Sequence, residues 1–192
     1  MIHALNNAFI FLLSTIVDLY VFILLTRFIL VWIRVDYFNP ITQFVAKLSR
    51  PLIQPLKRVM PTVKNIEFST LLVIFTLVAL KFFLIGLATI GLPDFFGLFL
   101  LTCADILKSF VNFFFYAVLL QVILSWVPHF SYSPAYRLLA LITAPLIYPV
   151  KRIIPPVAGF DITPIPVLMG LHLLLILLVN PLYATGMNIA FR

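Results

Sequence analysis

The chain of 192 residues is 64% apolar and only 10% charged, with a mean hydropathy of +1.18, whereas an ordinary soluble domain has about one quarter charged residues. That composition excludes a water-soluble globular fold, and it makes the net charge of +7 a topology and lipid-headgroup signal, with no nucleic-acid partner expected. The single cysteine, Cys103, cannot close an internal disulfide and lacks Cys or His neighbours at metal-ligand spacing, so a disulfide scaffold and a zinc module are also excluded and a buried bystander thiol is expected.

A spanning helix needs roughly 20 predominantly apolar residues. Four stretches qualify, Ala8 to Ile33, Thr70 to Ile90, Ile106 to Val127 and Ile165 to Ile189, so the predicted fold class is all-α, a polytopic helical membrane protein. The first stretch follows no basic n-region and has no small-residue cleavage site, and reads as a retained span. It carries Asp18 and Arg27 and ends near Trp32, whose indole suits the interface as a depth anchor. Arg27 is six residues from Ile33, roughly 9 Å at the helical rise, and is expected to snorkel to the headgroups.

The first loop begins with Asn39-Pro40, an N-cap residue followed by proline at the first helical position, which predicts an in-plane helix. It continues with "PLIQPLKRVMP" over residues 51–61. Pro51 and Pro55 remove backbone donors and disfavour a continuous helix, so the expectation is a rigid, bent strap closed by Pro61. Apolar residues mixed with Lys57 and Arg58 suit the headgroup plane, where the pair is expected to contact anionic phospholipids or only to enforce orientation. Glu67 and Ser69 then start the second span. The hydroxyl suits an N-cap and the carboxylate suits the helix dipole or the nearby Lys-Arg pair, readings that rank ahead of ligand binding.

Lys81, in the second span, and Asp18, in the first, lie deep. Asp18 is fifteen residues from Ile33 and Lys81 thirteen from Phe68, roughly 22 and 20 Å from the loop side at 1.5 Å per residue. The shared level predicts an intramembrane ion pair; the rival is that each side chain reaches water or headgroups separately. Residues 91–105, "GLPDFFGLFLLTCAD", lengthen the third apolar run beyond one perpendicular span and are expected to lie along the interface or tilt in from it. The third span contains "FFF" at 113–115, a packing or lipid-facing surface, and ends near Trp126, a second depth anchor. A second loop follows, with Ser133-Pro134, then "PLIYPVKRIIP" over 145–155 bearing Lys151 and Arg152. Asp161 and Thr163 start the fourth span.

The two loop motifs share seven of eleven residues at an offset of 94, and the same offset superposes Trp32 on Trp126, Pro40 on Pro134, Glu67 on Asp161 and Ser69 on Thr163. Residues 1–94 and 95–192 therefore form two tandem units of two spans each, a parallel repeat with amphipathic loops that makes one membrane domain. Asn112 and Leu175 occupy the positions equivalent to Asp18 and Lys81, so both charges are absent together from the second unit. Nine of the thirteen Lys and Arg lie in the two loops. The positive-inside rule places those loops in the cytoplasm and both termini outside.

The "PLIxPLKRxxP" loop, the later "FDITP" at 160–164 and the two-fold repeat together resemble the YggT family of small bacterial inner-membrane proteins, also called YlmG, whose plastid relatives include the CCB3 proteins. The first unit departs at "IEFST", where Glu67 and Thr70 replace the family's Asp and Pro. The resemblance implies a multi-pass inner-membrane protein linked to osmotic-stress tolerance and ion homeostasis, to cell division or membrane organisation, and in plastids to cytochrome assembly or nucleoid distribution. It brings no catalytic residues. His3, His129 and His172 are scattered, and no phosphate loop, nucleophile elbow or paired carboxylates occur, so no enzyme, metal or cofactor is expected. Two functions stay open. The first is an accessory or scaffold protein that grips anionic phospholipids and docks other inner-membrane proteins, with a homo-oligomer a further option. The second is a small ion transporter or channel subunit with Asp18 and Lys81 lining a path in an oligomer. The scaffold ranks first because polar residues within the spans are few.

Overall fold

The computed structural model describes residues 2–35, 38–58, 60, 62, 65–127, 133–154 and 161–192, the side chains of Ile2 and His3 excepted. Pro61, Lys64, His129 and Pro155 lie outside them. Helix α1 (Ile2–Trp32) is stopped by Arg34, which adopts φ 56° while the Val35 amide donates to the Leu30 carbonyl at 3.0 Å. This left-handed helix stop is usually glycine, and an L side chain there costs ~1–2 kcal/mol. Helix α2 (Pro40–Lys57) starts with Asn39 accepting a bond from the Ile41 amide. Helix α3 (Phe68–Thr89) turns through Gly91, whose φ of 134° excludes most side chains. Helix α4 (Phe95–Ser125) is capped by the Asp94 carboxylate on the Phe96 and Gly97 amides, and α5 (Pro134–Ile153) by the Ser133 hydroxyl on the Tyr136 amide.

The last apolar stretch comprises α6 (Pro164–Leu174), a π-helical turn at Leu175–Val179 and α7 (Asn180–Ala190). Pro181 lacks the amide that would continue the ladder, and the widened turn just before it absorbs that break. Four segments, Ala4–Trp32, Phe68–Thr89, Phe95–Ser125 and Pro164–Ala190, are long and apolar enough to cross a bilayer. The chain is a multi-pass helical membrane protein. Asn6 Nδ2 donates to the Ala88 carbonyl at 3.0 Å and the Asp94 amide to the Ala190 carbonyl at 2.9 Å, which gathers both termini and the α3–α4 turn at one end. At the other end Asn39 Nδ2 donates to the Pro134 carbonyl at 3.3 Å, joining the starts of the two straps.

Three expectations are corrected. Residues 91–94 alone form a turn, and from Phe95 onward the segment is the start of α4 and not a separate interfacial stretch, because Asp94 caps the helix there and its first turns pack on α7; a long helix that tilts in, the other expectation, fits this continuity. Helices α2 and α5 run through Pro51 and Pro55 and through Pro145 and Pro149. The prolines of each pair are four residues apart, so they share one helix face, and all four are exposed. The missing donors thus fall away from the packed face, where Val45, Ser49 and Ile53 are buried, and the Tyr20 hydroxyl supplies a donor to the Leu48 carbonyl in the turn before Pro51. Cys103 is exposed, because α4 turns Leu101, Thr102, Ala104 and Asp105 inward and leaves Cys103 on its outer face.

The core is layered. Val21, Leu24, Leu25, Val73, Ile74 and Val78 pack α1 on α3, and Ile29, Leu30, Phe113, Phe114, Leu138 and Ile142 join the first unit to the second. The most extensive helix contact is α4 on α7, and glycine permits it: a Cβ on Gly97 would stand 2.1 Å from the Ala190 nitrogen, whereas one on Gly170 would meet nothing within 4 Å. Gly97→Ala should therefore lower stability in detergent by ~1–3 kcal/mol by prising the helices apart. Gly170→Ala should be neutral or stabilising by up to ~1 kcal/mol. Equal melting temperatures for the two variants would refute the close approach.

Candidate functional site

A lysine ammonium within an apolar bundle must find carboxylates inside it, because hydrocarbon offers none. Lys81 on α3 has a side chain only 5% exposed, and its Nζ is 2.8 Å from Asp18 Oδ1 on α1 and 2.6 Å from Asp105 Oδ2 on α4. The structure thus brings Asp18 and Lys81 together and adds a third member. Asp105 was missed because the sequence reading placed it outside the third span. Its counterpart at the 94-residue offset is Phe11, so Asp105 is a charge of the second unit that meets two of the first, and the joint absence that linked Asp18 to Lys81 gives no sign of it. Tyr183 on α7 borders the node, its ring 6.1 Å from that of Phe82 and 5.2 Å beneath Lys108 Nζ. Asp105 is 12% exposed but Asp18 is 57% exposed. Asp18 opens into a groove of about 320 Å³ between α1 and α4, where Asp105, Lys108, Ser109 and Asn112 also lie.

A second node ties the first strap to the spans. Arg27 does not snorkel: its Nε and Nη2 donate to the two Glu67 carboxylate oxygens at 2.8 and 3.1 Å, and Nη1 donates to Ser49 Oγ on α2 at 2.8 Å. The planar guanidinium fork fits a carboxylate, and Glu67 supplies one within reach at the start of α3, so water is not needed. Lys57 Nζ adds an ion pair at 2.5 Å and the Thr70 hydroxyl a bond at 2.5 Å. Glu67 therefore makes no side-chain bond to the helix amides, and Ser69 does not cap either, its hydroxyl donating to the Met60 carbonyl at 2.7 Å. Burial of the Glu67 carboxyl pushes its pKa up, but the bonds from Arg27, Lys57 and Thr70 and the Arg27 charge outweigh that and hold it at about 2.

The second unit repeats this layout without the buried guanidinium. Gln121 stands for Arg27 and Thr143 for Ser49, and the Thr143 hydroxyl donates to the Gln121 amide oxygen. Lys151 pairs with Asp161 at 2.7 Å with both side chains nearly half exposed. Burial raises the Asp161 pKa, but bonds from Lys151 and Thr163 lower it more. Asp161 accepts from the Thr163 amide at 3.1 Å, while the Thr163 side chain makes no bond to the α6 amides. Of the four strap cations, Lys57 and Lys151 are thus engaged by carboxylates, and Arg58 and Arg152 are exposed. Trp32 and Trp126 are exposed at the strap ends of α1 and α4, and His172 is exposed on α6. Among the described residues no three His, Cys, Asp or Glu cluster as metal ligands.

The model of the CCB3/YggT family matches residues 6–88 and 100–182, two segments displaced by the same 94 residues as the loop motifs. A Pseudomonas aeruginosa protein described as uncharacterized is 36% identical over 186 residues, 95% of this chain and 94% of the relative. The "Uncharacterized protein YggT" of Escherichia coli K12 is 34% identical over 182 residues, 94% of each chain. A Vibrio alginolyticus protein, also described as uncharacterized, is 36% identical and covers 86% of this chain and 90% of its own length. No solved structure matches.

Lys81→Met should destabilise most, by ~3–5 kcal/mol, since it leaves two carboxylates without their cation. Asp105→Asn should cost more than Asp18→Asn, because Asp105 is the more enclosed and the nearer of the two carboxylates on Lys81. In a thermodynamic cycle, adding Asp105→Asn to Lys81→Met should recover part of the loss; strictly additive losses would show the two are not partners. For Glu67 the pKa is lowered on folding, so its stabilisation is complete above the ordinary carboxyl value of 4.5 and is lost as pH falls towards about 2. Acid unfolding followed by circular dichroism should therefore show a limb between those values that is reduced in Glu67→Gln. That variant should also lose ~3–5 kcal/mol at neutral pH, against under ~1 kcal/mol for Asp161→Asn.

Proposed function

We propose that this chain, which belongs to the CCB3/YggT family, is an accessory protein of the bacterial inner membrane that docks other membrane proteins and carries no reaction of its own. The observation behind this reading is the groove between α1 and α4. Asp18 is 57% exposed there and Lys108 is exposed too, on helices otherwise faced with side chains such as Leu12, Ile16, Leu19 and Phe99. A charge facing hydrocarbon is costly, and a polar side chain from a neighbouring span relieves that cost.

The orientation is part of the proposal: the loop cations favour straps in the cytoplasm and termini outside. Exposed Arg58 and Arg152 then face the anionic leaflet, while Lys57 and Lys151 contribute less because carboxylates already hold them. A role in osmotic-stress tolerance would follow from whichever partners dock. The second reading, ion transport, draws on the titratable groups around Lys81. Against it, Val21, Leu24, Leu25, Val73, Ile74 and Val78 form an apolar layer in the stretch of α1 and α3 between the Lys81 and Glu67 nodes, so transport would need a path between copies.

A photoreactive residue at Ser109, in the groove, should crosslink in intact membranes to a discrete membrane protein, and Asp18→Leu should abolish that product. Liposomes containing only the purified protein should pass no protons or alkali cations. Flux that disappears in Asp18→Asn would replace docking with transport.

A further inference from the structure

A cavity of about 260 Å³ lies between the strap end of α1 and the start of α2, lined by Arg27, Leu30 and Val31 of α1, by Arg34 and Val35 just past its end, and by Thr42, Val45 and Ala46 of α2. It is separate from the Lys81 groove and from the Lys-Arg pairs of the straps. Three observations converge on it. Thr42 is 4% exposed, and its hydroxyl has no hydrogen-bond partner, an uncommon condition for a buried polar atom in a folded protein. Arg34 is exposed and has no carboxylate partner among the described residues, yet it holds a left-handed position, φ 56°, that glycine fills more easily. A strained conformation retained at a side chain of defined chemistry points to use of that side chain. Arg27, at the inner end, spends three donors on Glu67 and Ser49, which leaves two of its five N–H groups.

We propose that this cavity is a phosphate-ester site, with Arg34 and the Thr42 hydroxyl binding the phosphate, the free N–H groups of Arg27 reaching an ester oxygen, and Leu30, Val31, Val35, Val45 and Ala46 forming an apolar wall. Guanidinium groups bind phosphate oxygens through paired, charge-assisted hydrogen bonds. The apolar wall favours an anionic phospholipid over free phosphate. Arg27 lies within α1 and Arg34 just beyond its end, seven residues later, so the cavity has a guanidinium residue at its inner end and another at the helix stop. The second unit supplies a contrast, because the equivalents of Arg27, Arg34 and Thr42 are Gln121, Pro128 and Tyr136. It has neither guanidinium nor the small hydroxyl residue.

The test is native mass spectrometry of the full chain taken from nanodiscs of phosphatidylglycerol mixed with phosphatidylcholine. The wild type should retain one phosphatidylglycerol through detergent exchange. Arg34→Gly should reduce retention at least tenfold while the melting temperature stays equal or rises, since glycine suits that backbone. Thr42→Val and the cavity-filling Thr42→Tyr, which copies the second unit, should also reduce it, and Arg152→Gln should not. Arg27 is left intact because its loss would strand buried Glu67. Retention unchanged in Arg34→Gly and Thr42→Val would overturn the site. Displacement of the lipid by millimolar inorganic phosphate, with phosphate binding lost in the same variants, would uphold phosphate recognition and overturn the phospholipid as its source.

Discussion

Low dielectric surroundings constrain everything else in this bundle: a charge carried into them must meet its opposite there, since neither water nor lipid will serve. The chain carries such charges at two levels, and each ties elements that apolar packing alone would leave free to slide. Lys81 binds α3 to α1 and α4 through two carboxylates. Arg27 binds α1 to α2 through Ser49 and to the start of α3 through Glu67. Side chains such as Leu24 and Ile74 could pack in neighbouring registers at similar cost, because one aliphatic surface resembles another. A bidentate guanidinium–carboxylate pair has one geometry. Register is therefore set by the few ions, and packing density by the many apolar groups.

The duplication shows which parts of that arrangement are architectural. Both units keep a strap helix with two exposed prolines, a strap lysine reaching an acid before the next span, and a hydroxyl on the strap facing a polar side chain on the preceding span. The first unit makes that last contact with Arg27 and Ser49, the second with Gln121 and Thr143. The contact survives loss of charge, so its common purpose is to hold the strap against the bundle. What the first unit adds, Arg27 on fully buried Glu67 and the Asp18–Lys81 half of the outer node, has no counterpart in the second unit, which builds the same strap and spans without it. It makes the two halves chemically unlike, and the open Asp18 carboxylate lies on the side that differs.

The helices, their number and the repeat were legible because each rests on a long-range pattern: runs of some twenty apolar residues, and an offset that recurs from Trp32 to Thr163. The depth count that set Asp18 level with Lys81 worked because helical rise is nearly constant. Legibility failed where a local rule met a tertiary one. Proline disfavours a helix interior, but Pro51 and Pro55 lie on an exposed face and the helix continues. Arginine near a span end can snorkel, but Arg27 had a carboxylate forty residues away in sequence and adjacent in space. Asp105 was missed through a boundary: assigning 91–105 to the interface hid a charge that α4, once seen as continuous from Phe95, carries into the bundle. Thr42 gave no signal at all, since an unpartnered hydroxyl is a property of its surroundings.

The repeated Lys-Arg pair can now be divided into two roles. In each strap the lysine turns back to the acid that precedes the next span, Lys57 to Glu67 and Lys151 to Asp161, while the arginine beside it stays exposed. Adjacent residues on a helix diverge by about 100°, so one basic dipeptide turns one cation inward and leaves the other exposed. The lysine is a compact ammonium on a flexible stem, suited to closing a variable distance onto a carboxylate. The arginine is more weakly hydrated and binds phosphate in pairs of bonds, suited to a headgroup layer. Exchanging the order of the two would turn the guanidinium towards the acid and leave the ammonium exposed, so the order Lys before Arg at the same point of both units fixes which cation the strap keeps and which it presents.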